Sequence, residues 1–94
     1  MLTYRSSYRY EDGVYLGEVL DFPGTVSFGK TLDEARGALA AALLDMAETN
    51  LLRGEPLPVP DPTRSAPDAD LEEPLHLVLQ AGPQLRVSAA APAP

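Results

Sequence analysis

The side chains that could do chemistry in this chain are mostly carboxylates, and six of them lie between residues 11 and 34. Carboxylates that converge can bind Mg²⁺, and these are the candidates: Glu11, Asp12, Glu18, Asp21, Asp33 and Glu34. Each position also has a local structural explanation in a turn, a helix cap or a helix dipole. His76 is the single histidine and cysteine is absent, which argues against a catalytic dyad or a zinc site. We therefore expect no catalytic residue and no metal site.

Motifs that bind cofactors are also missing from the sequence. It contains no phosphate-binding loop, no dinucleotide fingerprint and no nucleophile elbow. No cofactor is therefore expected.

Tyrosine and arginine alternate in the first ten residues. Tyr4 and Tyr8 fall on one face of a strand, and Arg5 and Arg9 fall on the other. Aromatic side chains exposed on a sheet can stack nucleic-acid bases, so these four residues form an alternative nucleic-acid face. The net charge of −7 argues against it, because binding to phosphates depends on Lys and Arg. Core or subunit packing is the simpler role, and the acidic charge favours a basic partner.

The elements that would position these residues begin with three strands. Alternation predicts a strand over residues 2–10, and the Asp12-Gly13 pair predicts a hairpin into a second strand at 14–19. Pro23-Gly24 predicts a type II turn, followed by a third strand at 25–29. The first thirty residues therefore read as a three-stranded antiparallel meander.

One long helix should follow the meander. Thr31 and Glu34 have the spacing of a capping box, and Gly54 suits a left-handed cap after a helix that runs to Arg53. The presence of Gly37 among small residues predicts close approach of another backbone. Apolar residues at three- and four-residue steps predict the face that covers the sheet: Leu32, Ala35, Leu39, Ala42, Leu43, Met46 and Leu51.

The composition changes after the helix. Residues 55–74 are rich in proline and predict an extended, semi-rigid connector without a helix or a central strand. Alternating leucines predict a fourth strand at 75–80 on the sheet edge, then a turn at 81–83 and a short further strand or an irregular end at 84–88. We expect residues 1–54 and 75–88 to form one domain and residues 89–94 to form a disordered tail.

Length and composition limit the protein further. A chain of 94 residues has a thin core, and without disulfides it would gain stability from self-association, as a homodimer or homotetramer. No signal sequence and no apolar run long enough to cross a membrane occurs. No membrane partner is therefore expected, and the cytoplasm is the default location.

The order of these motifs resembles the HicB-like antitoxin family. The similarity spans residues 2–60: an aromatic strand, Asp12-Gly13, a strand ending in Asp21-Phe22-Pro23-Gly24, a short strand, Thr31-Leu32-Asp33-Glu34-Ala35 at a helix start, and Gly54-Glu55-Pro56-Leu57-Pro58 after it. This resemblance implies a partial RNase H-like fold without nuclease activity, which binds and blocks a small, basic, RNA-cleaving toxin. Many relatives add a C-terminal DNA-binding domain, which this chain is expected to lack.

The sequence thus predicts an α+β fold of order β-β-β-α-β and a non-enzymatic, protein-binding module of HicB antitoxin type. In this interpretation Asp21, Phe22, Pro23 and Gly24 form the family motif, and an exposed Phe22 is the possible contact with the partner. The alternatives are a small nucleic-acid-binding protein that uses the tyrosine and arginine face, a residual RNase H-type enzyme, and a solitary HicB-like domain that has no toxin partner.

Overall fold

The protein is described by a computed structural model that covers residues 1–80 and 86–90. Its elements follow the order β1 (Leu2–Glu11), β2 (Val14–Val19), β3 (Val26–Gly29), α1 (Leu32–Leu52), β4 (Leu71–Gln80) and β5 (Arg86–Ala90). The strands form one antiparallel sheet in the order β3-β2-β1-β4-β5. The expected meander, long helix and fourth strand are confirmed. β4 pairs with β1, and β5 extends the sheet beyond β4, so that β4 is not an edge strand.

The turn and cap signals act locally, as expected. Asp12 and Gly13 both have positive φ in a two-residue hairpin that pairs Glu11 with Val14. At the helix start, the Thr31 hydroxyl accepts a hydrogen bond from the Glu34 N–H at 3.1 Å. The Glu34 carboxylate accepts from the N–H of Lys30 at 2.8 Å, one residue before the donor that a capping box uses.

The helix end also matches its sequence signal. Gly54 has a φ of +69° and donates its N–H to the carbonyl of Leu51, while Glu55 donates to Asn50. These two bonds form a Schellman motif, which satisfies carbonyl groups that the helix leaves unpaired.

The core lies between α1 and one face of the sheet. The helix contributes a stripe of four buried residues at successive four-residue steps, Ala35, Leu39, Leu43 and Ala47. The strands contribute Tyr4, Tyr8, Val19, Leu75 and Leu77. A bidentate ion pair between Arg36 and Glu73, at 2.8 and 3.0 Å, adds a polar link between α1 and β4.

Two sequence expectations about the second half of the chain are wrong. The proline-rich connector does not extend to residue 74, because β4 begins at Leu71 and includes Pro74. Proline is tolerated there because Pro74 lies opposite Arg5 of β1. The N–H of Arg5 bonds to the Asp21 carboxylate and its carbonyl accepts from Leu20, so that β1 requires no N–H from Pro74. Ala89 and Ala90 belong to β5 and not to a disordered tail. The turn at 81–83, residues 84–85 and residues 91–94 lie outside the described part of the chain.

No helix among residues 1–80 and 86–90 has the length and apolar character needed to cross a bilayer.

The helix approaches the sheet closely at Gly29 and not at Gly37. A Cβ atom added to Gly29 would lie 2.6 Å from the backbone nitrogen of Ala35, whereas one added to Gly37 would meet no atom within 4 Å. The prediction of a close backbone at Gly37 is therefore wrong, because this residue lies on the exposed side of α1.

These two glycines give a matched pair of substitutions. We expect Gly29→Ala to lower the free energy of unfolding by about 1–3 kcal/mol, since the added methyl group must push the helix backbone away. Gly37→Ala should raise it by up to about 1 kcal/mol, because alanine is the better helix former. Urea unfolding followed by circular dichroism measures both. A Gly29→Ala protein as stable as the original would contradict this account of helix and sheet contact.

Candidate functional site

The Asp21-Phe22-Pro23-Gly24 motif forms the expected turn, but its aromatic ring points into the core. Thr25 donates its N–H to the Phe22 carbonyl at 3.2 Å, and Gly24 has a φ of +87°, as a type II turn requires. The Phe22 side chain is only 2% exposed. Its ring packs edge-on against the Tyr4 ring, with the two ring centroids 5.5 Å apart. The expectation of an exposed Phe22 that contacts a partner is therefore wrong, since the ring fills space beside Tyr4.

Asp21 has a structural role inside the fold. One carboxylate oxygen accepts the N–H of Arg5 in β1 at 3.2 Å, and the other accepts the N–H of Asp61 at 2.8 Å. The side chain is buried, and each of its two oxygens accepts a hydrogen bond from a backbone N–H group. Asp21 thereby fixes the segment after the helix to the first strand.

That segment, residues 55–70, is called the connector below, and it is bound to the sheet at several further points. The Tyr4 hydroxyl donates to the Pro58 carbonyl at 2.7 Å. Asp70 donates its N–H to the Tyr8 carbonyl at 2.9 Å, and its carboxylate accepts the N–H of Tyr10 at 2.7 Å. The connector is therefore an integral part of the domain and not the semi-rigid spacer that its prolines suggested.

Two pKa values reflect this environment. Burial, together with the nearby Asp21 carboxylate, raises the pKa of Tyr4 to about 12. Two hydrogen bonds from Thr63 to the Asp61 carboxylate hold the pKa of Asp61 below its usual range. Both shifts favour the protonation states that make the connector hydrogen bonds at neutral pH.

The alternative nucleic-acid face does not exist as a surface. Tyr4 and Tyr8 are fully buried beneath the helix, so no base can stack on their rings. On the opposite face, Arg9 is paired with Glu11 at 3.1 Å, and Arg5 lies 3.7 Å from Glu72. The structure therefore separates these tyrosines from these arginines and provides both arginines with acidic partners.

The six candidate carboxylates do not converge. Among the described residues, no group of three or more His, Asp or Glu side chains is placed to hold a metal ion. Asp21 binds two backbone N–H groups, Glu34 contributes to the helix cap, and Glu11 pairs with Arg9. The residual RNase H hypothesis gains no support from this arrangement.

Among the described residues, an open groove on the face of the sheet away from the helix could bind another molecule. Its volume is about 450 Å³, and it lies between strands β2 and β3 and the connector at residues 66–69. Two residues of β3 supply its most exposed apolar surface, because Val26 is 62% exposed and Phe28 is 74% exposed. Leu16 of β2, opposite Phe28, is 38% exposed. This open space, together with all the residues that line it, is called the groove below.

The groove was not predicted from the sequence, although the residue pattern of β3 indicates which of its side chains face away from the helix. Val26 and Phe28 alternate with Ser27 and Gly29, and only small residues can face a helix that comes this close. Ser27 donates its hydroxyl proton to the Ala35 carbonyl of the helix at 3.0 Å. The larger apolar pair must therefore face away from the helix.

The fold is that of a small α+β domain in which one helix covers one face of an antiparallel sheet, and the groove lies on the other face. A search of solved structures finds the N-terminal domain of the Burkholderia pseudomallei antitoxin HicB, a crystal structure, with 30% sequence identity and a TM-score of 0.57. The similarity covers 69% of this chain and 74% of that chain. The chain therefore belongs to the HicB antitoxin family, as a HicB-like domain. No family model and no curated protein matches it.

Asp21→Asn tests the role of the buried carboxylate. We expect the free energy of unfolding to fall by about 1–3 kcal/mol, because the amide nitrogen cannot accept a hydrogen bond and one buried N–H loses its partner. Urea unfolding at neutral pH measures the change, with Asp45→Asn on the exposed side of α1 as the control. An Asp21→Asn protein as stable as the control would contradict the proposed bridge.

The raised pKa of Tyr4 predicts a loss of stability at alkaline pH. An unfolded tyrosine ionises near pH 10, whereas folded Tyr4 ionises near 12, so the folded state holds this proton more tightly. The stabilising contribution of Tyr4 is complete below pH 10 and declines as the pH rises from about 10 to 12. Unfolding free energies measured from pH 9 to 12 should fall less steeply in Tyr4→Phe. If the unfolding free energy fell equally steeply with pH in the original protein and in Tyr4→Phe, the raised pKa of Tyr4 would be contradicted.

Proposed function

We propose that this protein is a non-catalytic antitoxin of HicB type, which binds and neutralises a small, basic, RNA-cleaving toxin. The observation that carries the proposal is membership of the HicB antitoxin family, based on 30% identity over 74% of the antitoxin domain. The net charge of −7 supports a basic partner, since complementary charge speeds association and disfavours wrong partners.

The arrangement of the carboxylates supports a role in binding and not in catalysis. Asp21, Glu34 and Glu11 are engaged in hydrogen bonds or an ion pair within the fold, which leaves them unsuited to general acid or base chemistry on a substrate. The groove supplies an exposed apolar surface of the kind that marks a protein contact. Because the proposed toxin acts on RNA, we place the complex in the cytoplasm.

We further propose that the protein associates with itself as a homodimer or homotetramer. A domain of this size has a small core. Among the strands of the described residues, β3 is at the edge of the sheet and pairs with β2 alone. Edge strands present unpaired N–H and C=O groups, on which a second strand can form.

The test is to co-express the tagged chain with the short, basic protein encoded by an adjacent reading frame. We expect the two proteins to co-purify as a stable complex, and we expect the chain to relieve the growth arrest and RNA cleavage that the basic protein causes alone. Association should slow as salt is added, because opposite net charges steer the encounter.

A basic protein that neither binds the chain nor loses its RNase activity in its presence would overturn the proposal and favour a solitary HicB-like domain. Binding of RNA or DNA by the purified chain, weakened by salt, would instead support the nucleic-acid alternative.

A further inference from the structure

We propose that the groove is the contact surface for the basic partner, and that it takes an apolar side chain flanked by Lys or Arg. This inference rests on the proposed function, because it assigns a surface to the toxin that the chain is proposed to bind. Three features of the groove support it: the apolar floor, the charges at the rim and the fixed position of the wall.

The floor of the groove includes an exposed aromatic residue, Phe28. Phe28 and Val26 lie side by side on β3, and Leu16 extends the apolar surface onto β2. A contiguous apolar patch on a small protein marks an interaction site more often than single exposed residues do. An aromatic side chain that is exposed in the free protein and buried on binding is a frequent source of binding energy.

The charges around this floor are unbalanced in favour of acid. Arg9 lines the groove, but its guanidinium is paired with the Glu11 carboxylate at 3.1 Å. Glu18 and Asp68 also line the groove, and neither has an ion pair or a hydrogen bond among the described residues. Two carboxylates without partners therefore flank an apolar floor, and Lys or Arg side chains next to an apolar anchor would complement them.

The wall of the groove is held in position by the fold. Ala69 donates its N–H to the Ala66 carbonyl at 3.0 Å, and Asp70 donates to the Tyr8 carbonyl at 2.9 Å. Ser65 donates its hydroxyl proton to the Glu72 carboxylate at 3.2 Å. A wall that is ordered before binding reduces the entropy lost on association.

Charge favours a basic partner over a second copy of this chain in the groove. A second copy has the same net charge of −7 and would bring like charges towards Glu18 and Asp68. A basic protein would place cations there, so that desolvating the apolar floor and pairing the carboxylates would act together.

The experiment measures the affinity of the purified chain for the basic protein encoded beside it, by isothermal titration calorimetry. Two variants alter the groove, Phe28→Ser and Glu18→Lys. Two matched controls make the same changes at exposed positions on α1, Leu52→Ser, where the leucine is 90% exposed, and Glu48→Lys. Circular dichroism checks that all four variants are folded.

We expect each groove variant to raise the Kd at least about tenfold and each control to change it less than about twofold. If the original chain binds and both groove variants bind equally well, the groove proposal is overturned and the proposed function stands. If the original chain does not bind the basic protein, both are overturned. Sedimentation velocity of the free chain tests whether a second copy of the chain binds in the groove instead. If Phe28→Ser abolishes self-association but leaves toxin binding unchanged, the groove binds a second copy and the proposal is wrong.

Discussion

The buried carboxylate of Asp21 joins two parts of the chain that are 56 residues apart in sequence. Its two oxygens accept backbone N–H groups from Arg5 of β1 and Asp61 of the connector. The Tyr4 hydroxyl donates to the Pro58 carbonyl of the connector, and Phe22 packs against the Tyr4 ring. A segment rich in proline has few N–H groups with which to join a sheet. The side chains of β1 and of the turn after β2 therefore supply the bonds that the connector backbone cannot make.

The two faces of the sheet are covered differently, one by the helix and the other in part by the connector. One face is sealed by α1, whose close approach requires Gly29 and Ser27 on the facing side of β3. This requirement turns Val26 and Phe28 towards the opposite face, where the connector at residues 66–69 provides a wall but leaves the apolar floor open. The same packing that completes the core therefore creates an exposed apolar surface. In a family of antitoxins, such a surface is where we infer that the partner binds.

Local signals in the sequence predicted the elements well, because their causes lie within a few residues. The Asp12-Gly13 hairpin, the type II turn at Pro23-Gly24, the Thr31 cap and the Gly54 cap each depend on the backbone freedom or the hydrogen bonds of neighbouring residues. The same reasoning failed at Pro74, which a rule for central strands excludes. Pro74 lies opposite Arg5 of β1, whose backbone groups bond to Asp21 and Leu20 instead. The reasoning also failed for the connector, since its bonds come from residues distant in sequence.

The sequence by itself determined the order of strands and helix and the positions of the turns and caps, since these depend on residue types at short spacing. The ordered set of these motifs also carried the resemblance to the HicB-like family. Only the tertiary structure decided which side of each strand is buried. Alternation assigns Tyr4 and Tyr8 to one face and Arg5 and Arg9 to the other, but it does not say which face the helix covers. Burial of Phe22 and exposure of Phe28 follow from that choice, because the helix can approach only the face on which β3 carries small residues.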